Sequence, residues 1–267
     1  MGYRTILAEL ANDRSATLNL EAAQPLAARF DAAIVGLHVV PPPFVPTAWE
    51  GGASVYLSPE LMAAQAKAAQ AVRDRTREVF GRLCGANPGA EWRETEGDAV
   101  QILVEAAHTV DLVVTAHGEA AAGMAEPLVA GAGVPVLVVP SAPVAAPGRR
   151  VLVGWNGSRE AARAVHQALP FLASAEHVAL CAIGTEAEGS LRAAAAMLAR
   201  HGAKVETKAV SGADANAGRV LCDQVAAQGA DLMVVGAYGR SRVREFIFGG
   251  VTRHLLDHAG LPVLFGT

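Results

Sequence analysis

Asp231-Leu-Met-Val-Val-Gly236-Ala-Tyr-Gly239 is followed, after nine residues, by Gly249-Gly250-Val251-Thr252. The run 231–236 is short, apolar throughout and stopped by glycine. That pattern predicts a strand covered on both faces. Glycines at its end let the backbone approach another group closely. Val251 and Leu255 have helical spacing, so Gly249-Gly250-Val251-Thr252 predicts a helix start. Free N–H groups and the positive dipole end there favour an anion. Strand, glycine turn and helix N-terminus in that order point to a nucleotide phosphate. Close strand–helix packing without any ligand is the other reading of the same glycines.

Working outward, the same landmarks occur twice. Arg4-Thr-Ile-Leu-Ala-Glu-Leu10 resembles Arg150-Val-Leu-Val-Gly-Trp-Asn156. Asp111-Leu-Val-Val-Thr-Ala-His-Gly118 resembles Asp231 to Gly239, and Gly133-Val-Pro-Val-Leu-Val-Val-Pro140 resembles Gly260-Leu-Pro-Val-Leu-Phe-Gly266. Between the copies lies Ser141-Ala-Pro-Val-Ala-Ala-Pro-Gly148, which reads as a linker. Two domains are expected, 1–141 and 149–267. Each reads β-α-β-α-β-α-β-α-β. In the second, the strands are predicted at 150–155, 177–183, 204–210, 231–236 and 262–265. Apolar stripes at Ala161–Leu172, Leu191–Leu198 and Ala217–Val225 predict the helices between them. The fold class is α/β, as two tandem open parallel five-stranded sheets with helices on both faces.

The copies differ in length at two places. Arg4 to Asp111 spans 107 positions and Arg150 to Asp231 only 81. The surplus lies around Pro41–Ser58 and in a long helix that Ser58-Pro59 starts, with serine as cap and proline at the first position. Conversely, Asp111 to Pro135 spans 24 positions and Asp231 to Pro262 spans 31. The first copy therefore lacks seven residues where the second has its glycine loop. A phosphate site is expected in the second half only.

Bulk properties narrow the class. The 267 residues carry a net charge of −4, which disfavours non-specific nucleic-acid binding. No apolar run is long enough for a membrane span. The start of the chain enters a strand-like run without signal-peptide architecture, and Cys84, Cys181 and Cys222 are isolated. A cytoplasmic protein with reduced thiols is expected.

The arrangement resembles the universal stress protein family in its tandem two-domain form. The family pattern G-x-x-G, nine residues, G-(S/T) is matched by Gly236, Gly239 and Gly249. An Asp-Gly-Ser-like turn is matched by Asn156-Gly157-Ser158, and a Pro-Val-(Leu/Ile)-Val-Val-like last strand by Pro262-Val-Leu-Phe265. The resemblance implies a Rossmann-like fold of the adenine nucleotide alpha hydrolase type. It also implies a pocket for ATP, ADP or AMP, with or without Mg²⁺, at the carboxyl ends of the strands. Asn156 and Gly157 would lie near base and ribose, with the backbone of Ala182 and Ile183 beside the adenine. Gly236, Gly239, Gly249, Gly250, Val251 and Thr252 would surround the phosphates. Gly250 stands where the family has Ser or Thr, and Asn156 where it has Asp. A nucleotide-responsive stress or signalling module is implied. A nucleotide-free scaffold and a slow ATP hydrolase or autophosphorylating protein are the alternatives. The last strands of the halves are expected to pair into a pseudo-dimer, covering two sheet edges. A homodimer is left open.

Other residues invite chemistry. Arg240, Arg242 and Arg244 lie in the loop and Arg253 just past Thr252. Arg240 reads equally as a phosphate ligand and as a solvated side chain. Glu245 is the carboxylate close in sequence. His254 and His258 are one helical turn apart, but no third ligand is evident, so no metal site is expected. Ser158 lacks a nucleophile elbow and reads as a helix cap. Trp155 reads as a pocket-mouth or core residue. Pro41–Pro46 with Phe44 and Trp49 reads as a surface loop or a lid.

Overall fold

The structure, a computed structural model, describes residues 2–42, 58–118, 123–144, 146–183, 188–210, 216–237 and 250–267. The first half runs β1 (Thr5–Glu9), α1 (Asp13–Phe30), β2 (Ala33–Val40), α2 (Pro59–Cys84), β3 (Ala90–Glu96), α3 (Ala99–Ala107), β4 (Leu112–Ala116), α4 (Ala125–Gly131) and β5 (Val136–Val139). The second half runs β6 (Arg150–Trp155), α5 (Arg159–Gln167), α6 (Leu169–Ser174), β7 (His177–Ile183), α7 (Glu188–Arg200), β8 (Val205–Val210), α8 (Ala217–Gln228), β9 (Leu232–Gly236), α9 (Gly250–His258) and β10 (Val263–Gly266).

The described strands form one ten-stranded sheet in the order β3-β2-β1-β4-β5-β10-β9-β6-β7-β8. Within each half every pairing is parallel. The halves join where β5 and β10 run antiparallel, with Val136 opposite Phe265, Leu137 opposite Leu264 and Val138 opposite Val263. The two expected five-stranded sheets are therefore continuous through their last strands. Helices cover both faces. One core cluster takes Leu20, Phe80, Val165, Phe171 and Leu191 from α1, α2, α5, α6 and α7. The other takes Leu103, Leu128, Leu221 and Leu255 from α3, α4, α8 and α9.

Local chemistry explains the repeated landmarks. The Asp111 carboxylate accepts the N–H groups of Arg4 and Thr5 at 2.8 and 2.9 Å. Asp231 does the same for Gly148, Arg149 and Arg150 at 2.9, 3.1 and 3.1 Å. In both halves an aspartate just before the fourth strand clasps the start of the first, where strand N–H groups would otherwise lack partners. Ser58 caps α2 by accepting the Leu61 N–H, and Pro59 occupies its first turn.

One stripe is read differently by the structure. Residues 161–172 form two helices, not one, with the break at Ala168. Pro170 has no N–H to continue the ladder and its ring crowds the preceding turn. The apolar periodicity survives the break, with Ala161, Ala164, Val165, Ala168 and Leu172 all buried.

Beside the β5–β10 seam, Tyr3, Phe30 and Phe171 pack with ring centroids 5.1 to 5.6 Å apart. The Arg29 guanidinium bonds the carbonyls of Pro147 and Gly148 at 3.1 Å. The first half thus holds the linker down as well as the last strand.

Candidate functional site

Parallel strands place their carboxyl ends together, and that edge is where ligands bind in open α/β sheets. In the second half, Trp155 is opposite Ala182 and Gly236 is opposite Gly266. Asn156, Gly157, Ala182, Ile183 and Gly236 therefore share one edge. Helix α9 returns from it, so Gly250, Val251 and Thr252 form the first helical turn there. Gly239, Arg240, Arg242, Arg244, Glu245 and Gly249 lie outside the described residues, as do Phe44 and Trp49.

The β6–α5 turn is internally braced. Asn156 Oδ1 accepts the Ser158 N–H at 3.1 Å and the Ser158 hydroxyl at 2.6 Å. Ser158 Oγ in turn accepts the Ala161 N–H at 3.1 Å, capping α5 as its position predicts. The carbonyl oxygen of Asn156 is thereby used within the turn. Gly157 has φ +71, and a Cβ there would stand 3.1 Å from Ser190 Oγ, so a side chain would be strained. Trp155 Nε1 donates to Ser190 Oγ at 3.0 Å. That ties the end of β6 to α7.

The glycines have different roles. A Cβ on Gly236 would fall 2.5 Å from the Glu160 carbonyl carbon and 2.7 Å from the Ala161 nitrogen. The first turn of α5 lies directly against it, so packing alone requires glycine at 236. Gly250 is exposed, and among the described residues a Cβ there would meet nothing within 4 Å, so none of them imposes glycine by packing. Val251 is half-buried, Thr252 is buried and Ala182 is fully buried. Ala182 thus has only its backbone to offer, while Ile183 is half-buried at the strand end.

The structure also brings in a residue that sequence spacing missed. The backbone of Glu160 abuts Gly236 although the two lie far apart in the chain. Its largely buried carboxylate accepts from Arg159 Nε at 2.6 Å, which holds it below the usual carboxylate range. The only signal for it was its place in the first turn after the Asn156-Gly157-Ser158 motif.

Among the described residues no group of three or more His, Cys, Asp or Glu could hold a metal ion. The rings of His254 and His258 stack with centroids 4.4 Å apart, and His258 Nδ1 lies 3.0 Å from the His254 carbonyl. Stacked rings do not aim lone pairs at a common point. No described helix is long and apolar enough to cross a membrane.

In the first half the strand register puts Leu10 at the place of Trp155, and it is fully buried. Its carbonyl lies 2.6 Å from Nδ1 of the buried His38, whose ring stacks on Trp92. Ala116 stands in the place of Gly236. His117, in register with Ala237, lies across the seam with Nε2 at 3.2 Å from Asp257 Oδ1 of α9.

Comparison with known proteins gives a family. The model of the universal stress protein family matches residues 2–140 and again residues 148–265. The structure is similar to a universal stress protein from Archaeoglobus fulgidus DSM 4304, with 18% identity, TM-score 0.72, and 98% and 97% of the two chains covered. It is also similar to a protein of unknown function from Pseudomonas aeruginosa PAO1, with 17% identity, TM-score 0.59, and coverage of 98% and 92%. A universal stress protein in complex with cAMP aligns over 53% of this chain and 100% of its own, at 18% identity and TM-score 0.33. At these identities the likeness to the first two is one of fold. Among curated proteins no match is found.

Proposed function

Because the chain belongs to the universal stress protein family, we propose that its second half, 149–267, is an adenine-nucleotide-binding stress-response module. Its first half, 1–141, is a partner with a degenerate site. The carrying observation is Gly250. It is an exposed glycine in the first turn of a helix at the carboxyl edge of the sheet, and none of the described residues packs where its side chain would stand. Asn156, Gly157, Ala182 and Ile183 serve base and ribose. Gly236, Gly239, Arg240, Gly249, Gly250, Val251 and Thr252 serve the phosphates of ATP, ADP or AMP. In the first half, counting on from the strand register, Ala11 stands where Asn156 does and offers no polar side chain. Three free thiols, each pushed up by burial, suit a reducing compartment such as the cytoplasm.

The experiment is to denature freshly purified protein and identify the released small molecules by mass spectrometry, with Gly249→Arg as control. An adenine nucleotide that is absent from the variant supports the proposal. No nucleotide from either protein, with no heat on adding Mg-ATP, would sink it. The packing of Gly236 against α5 favours a scaffold as the second reading, and that outcome would select it.

Gly250→Ser gives a graded test. The added Cβ meets none of the described residues, and serine at the first helical position is a better helix former than glycine, so stability is expected to hold. One added hydrogen bond to phosphate is worth about 1 kcal/mol, so affinity for ATP should rise roughly fivefold. Unchanged affinity in a titration would argue against phosphate at this turn.

A further inference from the structure

Glu9 ends β1 with its side chain only 1% exposed. Its carboxyl is gripped from three segments. The Ala11 N–H donates to Oε1 at 2.6 Å, Asn19 Nδ2 of α1 donates to Oε2 at 3.0 Å, and the Thr115 hydroxyl of β4 lies 3.4 Å from Oε2. Asn19 Nδ2 also bonds the Glu9 carbonyl at 2.6 Å. The strand register gives the second half Gly154 at this position, with no ionisable group.

We propose that Glu9 is a proton-operated latch of the first half: as a neutral carboxyl it ties β1, β4 and α1 together, and ionisation loosens α1.

No counter-charge offsets a Glu9 carboxylate among the described residues that pack on β1. The buried face of α1 contributes Ser15 and Asn19 but no charged side chain. β4 contributes Thr115. β2 carries His38, held through Nδ1 on the Leu10 carbonyl. The acid of α3, Glu105, is exposed and accepts from Gln101. Asn19 Oδ1 is itself buried without a partner, so the cluster has no donor to spare. Burial outweighs the three hydrogen bonds and pushes the carboxyl up to about 7. The sign follows from linkage. An opened state ionises near the ordinary glutamate value while the folded state keeps its proton. Stability is therefore fully present below about pH 4.5, falls as pH rises, and levels off above about pH 7.

Native-state hydrogen exchange of the full chain tests this, with intrinsic rates divided out, from pH 5 to 8. The opening constant of amides in α1 is expected to rise roughly tenfold per pH unit up to about pH 7. Amides of α5, the matching helix of the second half, are expected to lack that dependence, and Glu9→Gln should flatten α1 as well. Equal pH dependence in α1 and α5 of the wild type would overturn the proposal. That comparison needs no variant, so it holds even if Glu9→Gln fails to fold.

Discussion

Gly266→Ala is expected to cost about 3 kcal/mol of stability, which for a chain of this size lowers the thermal midpoint by roughly 10 °C. Gly266 and Gly236 lie side by side on β10 and β9, and α5 rests on the trough they leave. A Cβ on Gly266 would stand 2.3 Å from Ala164 Cα and 2.5 Å from its Cβ. These neighbours are helix backbone and a methyl with no rotamer, so the helix must move. Replacing glycine in a strand gains back about 0.5–1 kcal/mol of backbone entropy, and the clash wins. Gly236→Ala should behave alike, in protein free of nucleotide, because its clash is also with backbone. Gly250→Ala is the contrast, since it meets none of the described residues and should not lower the midpoint. Urea or thermal unfolding of the three variants decides it. Were Gly266→Ala as stable as Gly250→Ala, the packing account of α5 would be wrong.

The second large effect is at the seam. Phe265 is fully buried on β10, opposite Val136 of the first half and Val235 of the second. Phe265→Ala removes a ring at the joint of the two sheets, where neighbouring strands cannot close the space. A loss of about 3–5 kcal/mol is expected. If the seam is part of one cooperative structure, exchange protection should fall on β4 and β5 as well as on β9. Loosened strand edges should also favour association, visible on gel filtration. Protection lost only in the second half would mean that the halves are stabilised independently.

Much of this was legible in the sequence because it is local or repeated. The strands 150–155 and 177–183 match the apolar runs, since a strand covered on both faces needs apolar residues throughout. Ser58 and Ser158 announce their helices because a cap needs a side-chain acceptor at one position. The β5–β10 pairing is what the family resemblance implies, and it covers two sheet edges. What escaped is long-range. The stripe at 161–172 records burial, which continues through the break at Ala168, so it hides the effect of Pro170. The glycine motif names Gly236 without naming α5 as its neighbour. Glu160 is distant in the chain from the strand end it touches. Glu9 looks like an ordinary strand-end acid until Asn19 and Thr115 are seen to enclose it.

The most direct measurement is the stoichiometry of ATP binding to the intact chain by calorimetric titration after removal of any carried nucleotide. The account predicts one equivalent per chain, lost in Gly249→Arg and unaffected by Leu10→Met. Two equivalents would contradict the degenerate first half, and none would contradict the site itself.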